Sequence, residues 1–181
     1  LVLPLPPSDR AQCRQYFKPI MMTKGSLASC AGKIPSHHNF IVSGHMRNFH
    51  LNDEAEEVTV DLNDGPRFFT SYYHFMNQTI SNENLECITD CELLQISFND
   101  VLIVAKEGIT QQQYTIKILE QSLQDEKQRL MDMAELTGEQ RYLKLMNQKV
   151  NIIKNVPQRI IASYLGIKPE SLSRIRRELN S

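Results

Sequence analysis

The stretch that decides the fold is residues 156–179, VPQRIIASYLGIKPESLSRIRREL, and it predicts two short helices joined by a tight turn. Pro157 suits the first turn of a helix, where its missing N–H costs nothing, and apolar residues recur at helical spacing from Ile160 onward. Gly166 supplies a left-handed residue that ends the first helix, and Pro169 stands at the favoured first position of the second. Two helices around such a turn form the helix-turn-helix that enters a DNA major groove, although two helices of an ordinary bundle give the same pattern.

The outward face of the second helix favours DNA binding over an ordinary bundle. Leu172, Ile175 and Leu179 are expected to form the buried stripe of this helix, which leaves polar side chains pointing away from the core. Hydroxyl, carboxylate and guanidinium groups suit base edges and phosphates, and this segment lacks the interleaved Glu and Lys residues of a merely solvated helix. The residues predicted to contact DNA are Arg159, Lys168, Glu170, Ser171, Ser173, Arg174, Arg176 and Arg177.

The charge of the chain is divided unevenly between its two parts. The 181 residues carry a net charge of -1. Residues 139–181 hold nine Lys or Arg and three Glu, whereas residues 1–138 hold 11 basic and 18 acidic residues. The last segment is therefore net +6 and the remainder net -7. Such a split is typical of a DNA-binding end attached to an acidic sensor region.

The front of the chain predicts one short helix followed by a sheet. The helix is expected over residues 8–17, with Ser8 or Asp9 as its cap. Between about residues 20 and 98, short alternating segments separated by turn residues such as Asn63-Asp64-Gly65 predict an antiparallel sandwich or barrel. In two segments one face is predicted to be buried and the other wet: Val58, Val60 and Leu62 against Thr59 and Asp61, and Leu94, Ile96 and Phe98 against Leu93, Gln95 and Ser97.

Residues 111–136 contain no Gly or Pro and predict one long helix. Its apolar residues follow a heptad seam that Glu126 interrupts. Packing of one helix on the sheet would explain the same residues. A helix of this length usually needs a second apolar partner, however, so a parallel two-stranded dimer is favoured. The seam residues are Ile116, Leu119, Leu123, Leu130 and Met133, and a further helix is expected over residues 139–148 after Gly138.

Composition argues against several protein classes. No apolar run is long enough to span a membrane and no signal peptide is visible, so a cytoplasmic protein with no membrane partner is expected. The histidines, His37-His38 among them, lack a clustered carboxylate, so neither a metal nor a cofactor is expected. Four cysteines without metal-ligand spacing predict buried free thiols, namely Cys13, Cys30, Cys87 and Cys91.

The order of these parts and the residues of the tail resemble the Crp/Fnr family of bacterial transcription regulators. Residues 158–167 and 169–175 resemble the Gln-x-x-Ile-Ala-x-x-Leu-Gly signature of that family and its recognition helix. Gln140-Arg141-Tyr142-Leu143 resembles the helix that opens the DNA-binding domain in these regulators. The resemblance covers essentially the whole chain.

The resemblance implies an α+β fold in three parts. These are an N-terminal antiparallel β-roll of the cyclic-nucleotide-binding type over residues 1–110, a dimerisation helix over 111–137 and a helix-turn-helix DNA-binding domain over 138–181. It also implies a homodimer that reads an inverted-repeat operator in double-stranded DNA with one recognition helix per half-site. In the family a Glu and an Arg four residues apart contact base edges, and these match Glu170 and Arg174. A carboxylate can accept from cytosine and a guanidinium can bind guanine bidentately, so both roles are physically sound.

The sensor region departs from the pattern of the cyclic-nucleotide-binding members. Those members hold the phosphate with a Gly-Glu pair and an Arg about ten residues later, whereas Thr70-Ser71 stand here and no arginine follows Arg67 in the segment. Cyclic AMP is therefore not expected in the usual mode, and the effector is another small molecule or is missing. Aromatic core packing is the alternative role for this segment. The candidate pocket residues are Phe69, Thr70, Ser71, Tyr72 and Tyr73.

The C-terminus and the histidines of the chain lead to two further expectations. The sequence stops at Ser181, so the two-stranded wing that often follows the recognition helix is expected to be absent, either by nature or through truncation. A cupin-like metalloenzyme or a small-molecule-binding module is the competing hypothesis, because a β-roll shares its jelly-roll shape with cupins. That enzyme would need two histidines one residue apart, but His37-His38 are adjacent and cannot both face inward from one strand. We therefore expect a regulator with no catalytic residues.

Overall fold

The computed structural model describes residues 6–107 and 109–179. Leu1, where the predicted sensor region begins, and Ser181, where the predicted DNA-binding region ends, lie outside the described residues. The described front of the chain contains eight strands and three helices. The helices are α1 (Pro7–Tyr16), α2 (Tyr72–Asn77) and α3 (Phe98–Glu107). The strands are β1 (Lys18–Met22), β2 (Leu27–Ser29), β3 (His37–Ser43), β4 (His45–Leu51), β5 (Glu57–Asp64), β6 (Arg67–Phe69), β7 (Asn84–Cys87) and β8 (Cys91–Ser97).

The strands form two four-stranded antiparallel sheets. One has the order β1-β8-β3-β6 and the other the order β2-β7-β4-β5. Their facing sides enclose a core of Ile41, Met46, Phe69, Leu85, Cys87, Cys91 and Leu93. The α+β class and the antiparallel β-roll are thus confirmed.

The alternation expected in two of the strands is only partly right. In β8 the inward residues are Cys91, Leu93 and Ile96, so Leu93 belongs to the core and not to a wet face. In β5 the residue Thr59 is fully buried, although the pattern placed it on the wet face. The reason is that a C-terminal helix covers β5, as described below. Helix α1 starts one residue earlier than expected, at Pro7, and has no side-chain cap.

The C-terminal part is helical throughout. Helix α4 (Ile109–Glu135) has 27 residues and is about 40 Å long at 1.5 Å per residue, as the absence of Gly and Pro predicted. It ends before Thr137, which forms a capping box with Gln140 and starts α5 (Gly138–Gln148). Helix α6 (Val150–Asn155), which the sequence did not predict, follows after Lys149 departs from helical geometry.

The last two elements are α7 (Gln158–Tyr164) and α8 (Pro169–Leu179), and they form the predicted helix-turn-helix. Gly166 in the turn has a φ of +64°, the left-handed conformation that favours glycine. Leu172 and Ile175 are buried as expected, whereas Leu179 is 41% exposed and does not belong to the stripe. The core of this region also includes Leu62 and Ile88 of the β-roll, so the two parts share apolar packing.

The cysteines are free thiols. Cys87 and Cys91 are buried, as predicted, but Cys13 and Cys30 are half-buried, because Cys13 lies on the surface helix α1 and Cys30 lies beyond the short strand β2. Of the helices in the described ranges, none combines the length and the apolar character needed to cross a membrane.

Candidate nucleic-acid interface and effector cleft

Helix α8 is positioned by its buried side and presents a polar outer side. Leu172 is fully buried and Ile175 is 7% exposed, so the helix cannot rotate without exposing core residues. A shallow depression on the outer side is lined by Pro169, Glu170, Ser173, Arg174 and Arg177. The structure therefore brings four of the predicted DNA-contacting residues together on one surface.

The remaining predicted DNA contacts lie around this surface. Lys168 is exposed immediately before α8, and Ser171 and Arg176 are half-buried at its flanks. Among the described residues, the side chains of Glu170, Arg174 and Arg177 have no ion-pair partner. Unpaired charged groups on an exposed helix can contact DNA without first giving up intramolecular partners.

Arg159 lies apart from this group. It is on α7, and its Nη1 is 3.3 Å from Oε2 of Glu57 on β5. The same Glu57 oxygen is 2.7 Å from Nη2 of Arg47, a buried residue that also pairs with Glu86 on β7. The structure thus places Arg159 at the contact between the helix-turn-helix and the β-roll, a position that the sequence did not indicate.

Helix α7 is docked on β5, the edge strand of its sheet. The Ser163 hydroxyl accepts a hydrogen bond from the backbone N–H of Thr59 at 2.9 Å and donates one to the carbonyl of Glu57 at 3.0 Å. Lys149, which lies between α5 and α6, makes a third hydrogen bond to β5 by donating to the carbonyl of Leu62 at 3.2 Å. Burial lowers the pKa of the Lys149 ammonium, against the opposing effect of the Asp61 carboxylate. These bonds satisfy strand-edge backbone groups that would otherwise need water or another strand.

The heptad seam of α4 is largely exposed. Leu123 and Leu130 are 68% and 67% exposed, and Ile116 is 55% exposed. Leu119 and Met133 are each 38% exposed. A Cβ added at Gly166 would lie 2.6 Å from Cε of Met133, so Met133 also contacts the turn between α7 and α8. Arg129 of α4 donates to the carbonyl of Tyr164 at 3.2 Å and stacks over its ring.

A cleft of about 1180 Å³ lies between the β-roll, α4 and the C-terminal helices. All five predicted pocket residues, Phe69, Thr70, Ser71, Tyr72 and Tyr73, line it. Its wall also includes His38 of β3, Asn48 of β4 and Glu83, which precedes β7. The sequence prediction missed these three residues because they lie on different strands and loops and share no local motif.

The wall of the cleft combines aromatic rings with a polar cluster. His38 stacks on Phe68 with ring centroids 4.8 Å apart and meets the edge of Tyr72 at 5.5 Å. Burial lowers the pKa of His38 to about 4 and raises the pKa of the Tyr72 hydroxyl, so both are neutral at pH 7. Beside them, the Glu83 carboxylate accepts hydrogen bonds from the hydroxyl of Ser71 and from Nδ2 of Asn48.

The two adjacent histidines of β3 have different surroundings. His37 and His38 point to opposite sides of β3: Nδ1 of His37 is 2.8 Å from the Ser36 hydroxyl, whereas His38 lines the cleft. No three His, Cys, Asp or Glu side chains converge to hold a metal ion within residues 6–107 and 109–179. The geometry that a cupin-like enzyme needs is therefore not found among these residues.

Comparison with known proteins supports the fold. No protein-family model matches the sequence, and no curated protein matches it either. The regulator CLP of Xanthomonas campestris, described as responsive to c-di-GMP, superposes with a TM-score of 0.72 at 14% identity, over 96% of this chain and 91% of CLP. FixK2 from Bradyrhizobium japonicum superposes with a TM-score of 0.77 at 13% identity, over 91% of this chain and 84% of FixK2. A structure described as that of a transcriptional regulator of the Crp/Fnr family from Eubacterium rectale gives 0.75 at 16% identity, over 99% of this chain and 87% of that protein. The chain has the fold of the Crp/Fnr regulators.

Proposed function

We propose that the chain is a homodimeric, sequence-specific DNA-binding transcription regulator of the Crp/Fnr type that does not bind cyclic AMP in the usual mode. The observation that carries the proposal is the outer side of α8, where Glu170, Ser173, Arg174 and Arg177 line one exposed surface. The net charge of +6 over residues 139–181 and the regulator fold of the structural neighbours support it.

Within this proposal, Glu170 and Arg174 read base edges. They lie one helical turn apart on α8, so both can enter the same groove. Lys168, Arg176 and Arg177 hold the phosphate backbone, Ser171 and Ser173 bond to phosphate or base, and Arg159 adds a phosphate contact from α7.

The dimer is proposed to form through α4. The seam residues Ile116, Leu119, Leu123, Leu130 and Met133 repeat at steps of three, four and seven along a helix of 27 residues. Three of them are more than half exposed, which is costly for a surface with no partner. A second copy of α4 would cover them and would place two α8 helices on successive half-sites of an inverted repeat.

The domain division follows the same plan. Residues 1–110 form the sensor, 111–137 the dimerisation helix and 138–181 the DNA-binding domain. The cleft lined by Phe69, Thr70, Ser71, Tyr72 and Tyr73 is the proposed effector site. Its position between the β-roll and α4 would let an occupant act on both the dimer helix and the docked helix-turn-helix.

The test is a selection of bound duplexes from a random pool, followed by fluorescence anisotropy with the selected duplex. We expect an inverted-repeat sequence, and we expect Arg174→Ala to weaken binding to that sequence by roughly 5- to 150-fold, the value of one bidentate base contact. Lys168→Ala should instead weaken selected and unrelated duplexes alike and reduce the salt dependence.

A matched control is Lys33→Ala, since Lys33 is exposed in the β-roll and far from α8 in sequence. It should leave binding unchanged. Equal binding of the parent and Arg174→Ala to the selected duplex would refute the role of Arg174, and the absence of any selected sequence would refute the proposed function.

A further inference from the structure

The polar cluster in the cleft contains a carboxylate with no cationic partner. Oε2 of Glu83 accepts from Nδ2 of Asn48 at 2.8 Å and from the Ser71 hydroxyl, and both donors are neutral. Asn48 and Ser71 are 8% and 7% exposed, so this is a built site and not a mobile surface group. In the part of the chain that the structure describes, no Lys, Arg or His forms an ion pair with Glu83. A half-buried carboxylate that has only neutral partners is stabilised by a cation.

One acceptor atom next to this carboxylate is also left without a partner. A carboxylate only accepts hydrogen bonds, so the amide of Asn48 must turn its NH₂ toward Glu83 and its Oδ1 away. That Oδ1 is buried and has no hydrogen-bond partner, and Asn48 lines the cleft. The unmet need beside Glu83 is therefore for a hydrogen-bond donor.

None of the five Arg and Lys side chains that line the cleft bonds to Glu83 in the described residues. Arg67 pairs with Asp125 at 2.9 Å, and Lys144 pairs with Asp132 at 2.6 Å. The other three donate to backbone carbonyls: Arg129 to Tyr164, Arg141 to Leu165 and Leu136, and Lys149 to Leu62. Nε of Arg129 is buried without a partner, but none of these five cations bonds to Glu83, so a phosphate at this carboxylate would meet a like charge. An incoming ammonium would meet an unpaired carboxylate.

The wall beside the polar cluster is aromatic. Phe68 and Tyr72 each contact the ring of His38, Tyr72 directly follows Ser71, and all three rings line the cleft. Such a wall suits a flat or apolar body, and aromatic faces also attract a nearby cation. A metal ion does not fit the same corner, because no group of three His, Cys, Asp or Glu side chains meets there in the described residues.

We propose that the cleft binds a small organic amine, whose ammonium group pairs with the Glu83 carboxylate beside Asn48 and whose apolar body lies against Tyr72. The inference deepens the proposed function, because it names the chemical class of the effector for the cleft assigned above. The proposed ligand is positively charged, whereas a cyclic nucleotide is negatively charged.

The experiment is a thermal-shift and calorimetric titration of the whole chain with pairs of probes matched in shape and opposite in charge. Tryptamine is compared with indole-3-acetate, phenethylamine with phenylacetate, and cyclic AMP serves as the anionic nucleotide. We expect the amine of at least one pair to bind at least tenfold more tightly than its carboxylate partner. Binding of the carboxylates or of cyclic AMP in preference to the amines would overturn the inference, as would the failure of every amine to bind at millimolar concentration.

The assignment of Glu83 is tested by Glu83→Gln, which keeps the shape and removes the charge. Loss of a charge-assisted hydrogen bond should weaken the bound amine roughly 10- to 100-fold. Glu92→Gln, on an exposed position of β8, is the matched control and should bind as the parent does. Should Glu83→Gln fail to fold, the comparison of opposite charges on the unaltered chain still decides the matter. Amine binding without duplex binding would remove only the proposed function, and duplex binding without amine binding would remove only this inference.

Discussion

The contact between α7 and β5 makes a prediction that can be worked out from two hydrogen bonds. Ser163→Ala removes the acceptor of the Thr59 N–H, at 2.9 Å, and the donor to the Glu57 carbonyl, at 3.0 Å. Thr59 is fully buried, so its N–H loses its partner without gaining water, which costs about 1–3 kcal/mol. Glu57 is exposed, and its carbonyl can be hydrated at little cost. Alanine is the better helix former by about 0.5 kcal/mol, so the expected net loss of stability is about 0.5–2.5 kcal/mol.

Urea unfolding and hydrogen exchange measure the two parts of this effect. The free energy of unfolding should fall by the stated amount, and the Thr59 amide should exchange faster in Ser163→Ala than in the parent. Ser173→Ala is the control, because Ser173 is exposed on α8 and gains the same helix propensity without losing a hydrogen bond to the described residues. The reasoning is refuted if the two variants unfold within about 0.5 kcal/mol of each other, or if exchange at Thr59 is unchanged.

Three further predictions concern stability and assembly. Burial lowers the pKa of His38 to about 4 from its ordinary value of 6.5, so the stability that neutral His38 provides is complete above pH 6.5 and is lost as pH falls toward 4. Over that range the free energy of unfolding in urea should change by about 3 kcal/mol less in His38→Phe than in the parent, and equal pH dependence would contradict this. Gly166→Ala should cost about 1–2 kcal/mol on thermal or urea unfolding, because Gly166 has a φ of +64° and the nearest atom is the flexible end of Met133, which can move aside; a neutral result would show that the turn relaxes. Leu130→Lys should shift sedimentation equilibrium from dimer toward monomer, whereas Gln124→Lys, off the seam of α4, should not; a parent chain that sediments as a monomer would refute the seam.

The C-terminal helices could be predicted from sequence because their signals are local. Pro169 marks the beginning of α8, Gly166 marks the turn before it, and the long segment without Gly or Pro indicates α4. Helix α6 was not predicted, because no local signal in the sequence separates it from α5. Lys149 breaks the helix with φ -132° and ψ 61°, and neither Gly nor Pro stands there to mark the break.

The cleft and the docking of α7 could not be predicted because their partners are far apart in sequence. Asn48 and Glu83 are 35 residues apart, and Thr59 and Ser163 are 104 apart. The alternation in β5 was misjudged for this reason. The polar face of the edge strand β5 predicts solvent exposure, but helix α7, which lies about 100 residues later in the chain, covers it.

The position of Arg159 bears on how the docked helix-turn-helix could still bind DNA. Its pair with Glu57 is long, at 3.3 Å, and its side chain is 66% exposed, so breaking the pair costs at most about 1 kcal/mol. Glu57 would keep Arg47 at 2.7 Å, and Arg47 would keep Glu86, so no buried charge would be left alone. The Ser163 hydrogen bonds do not involve Arg159 and would hold α7 on β5 throughout. The proposed phosphate contact from Arg159 therefore needs only a side-chain rotation and no separation of the helix-turn-helix from the β-roll.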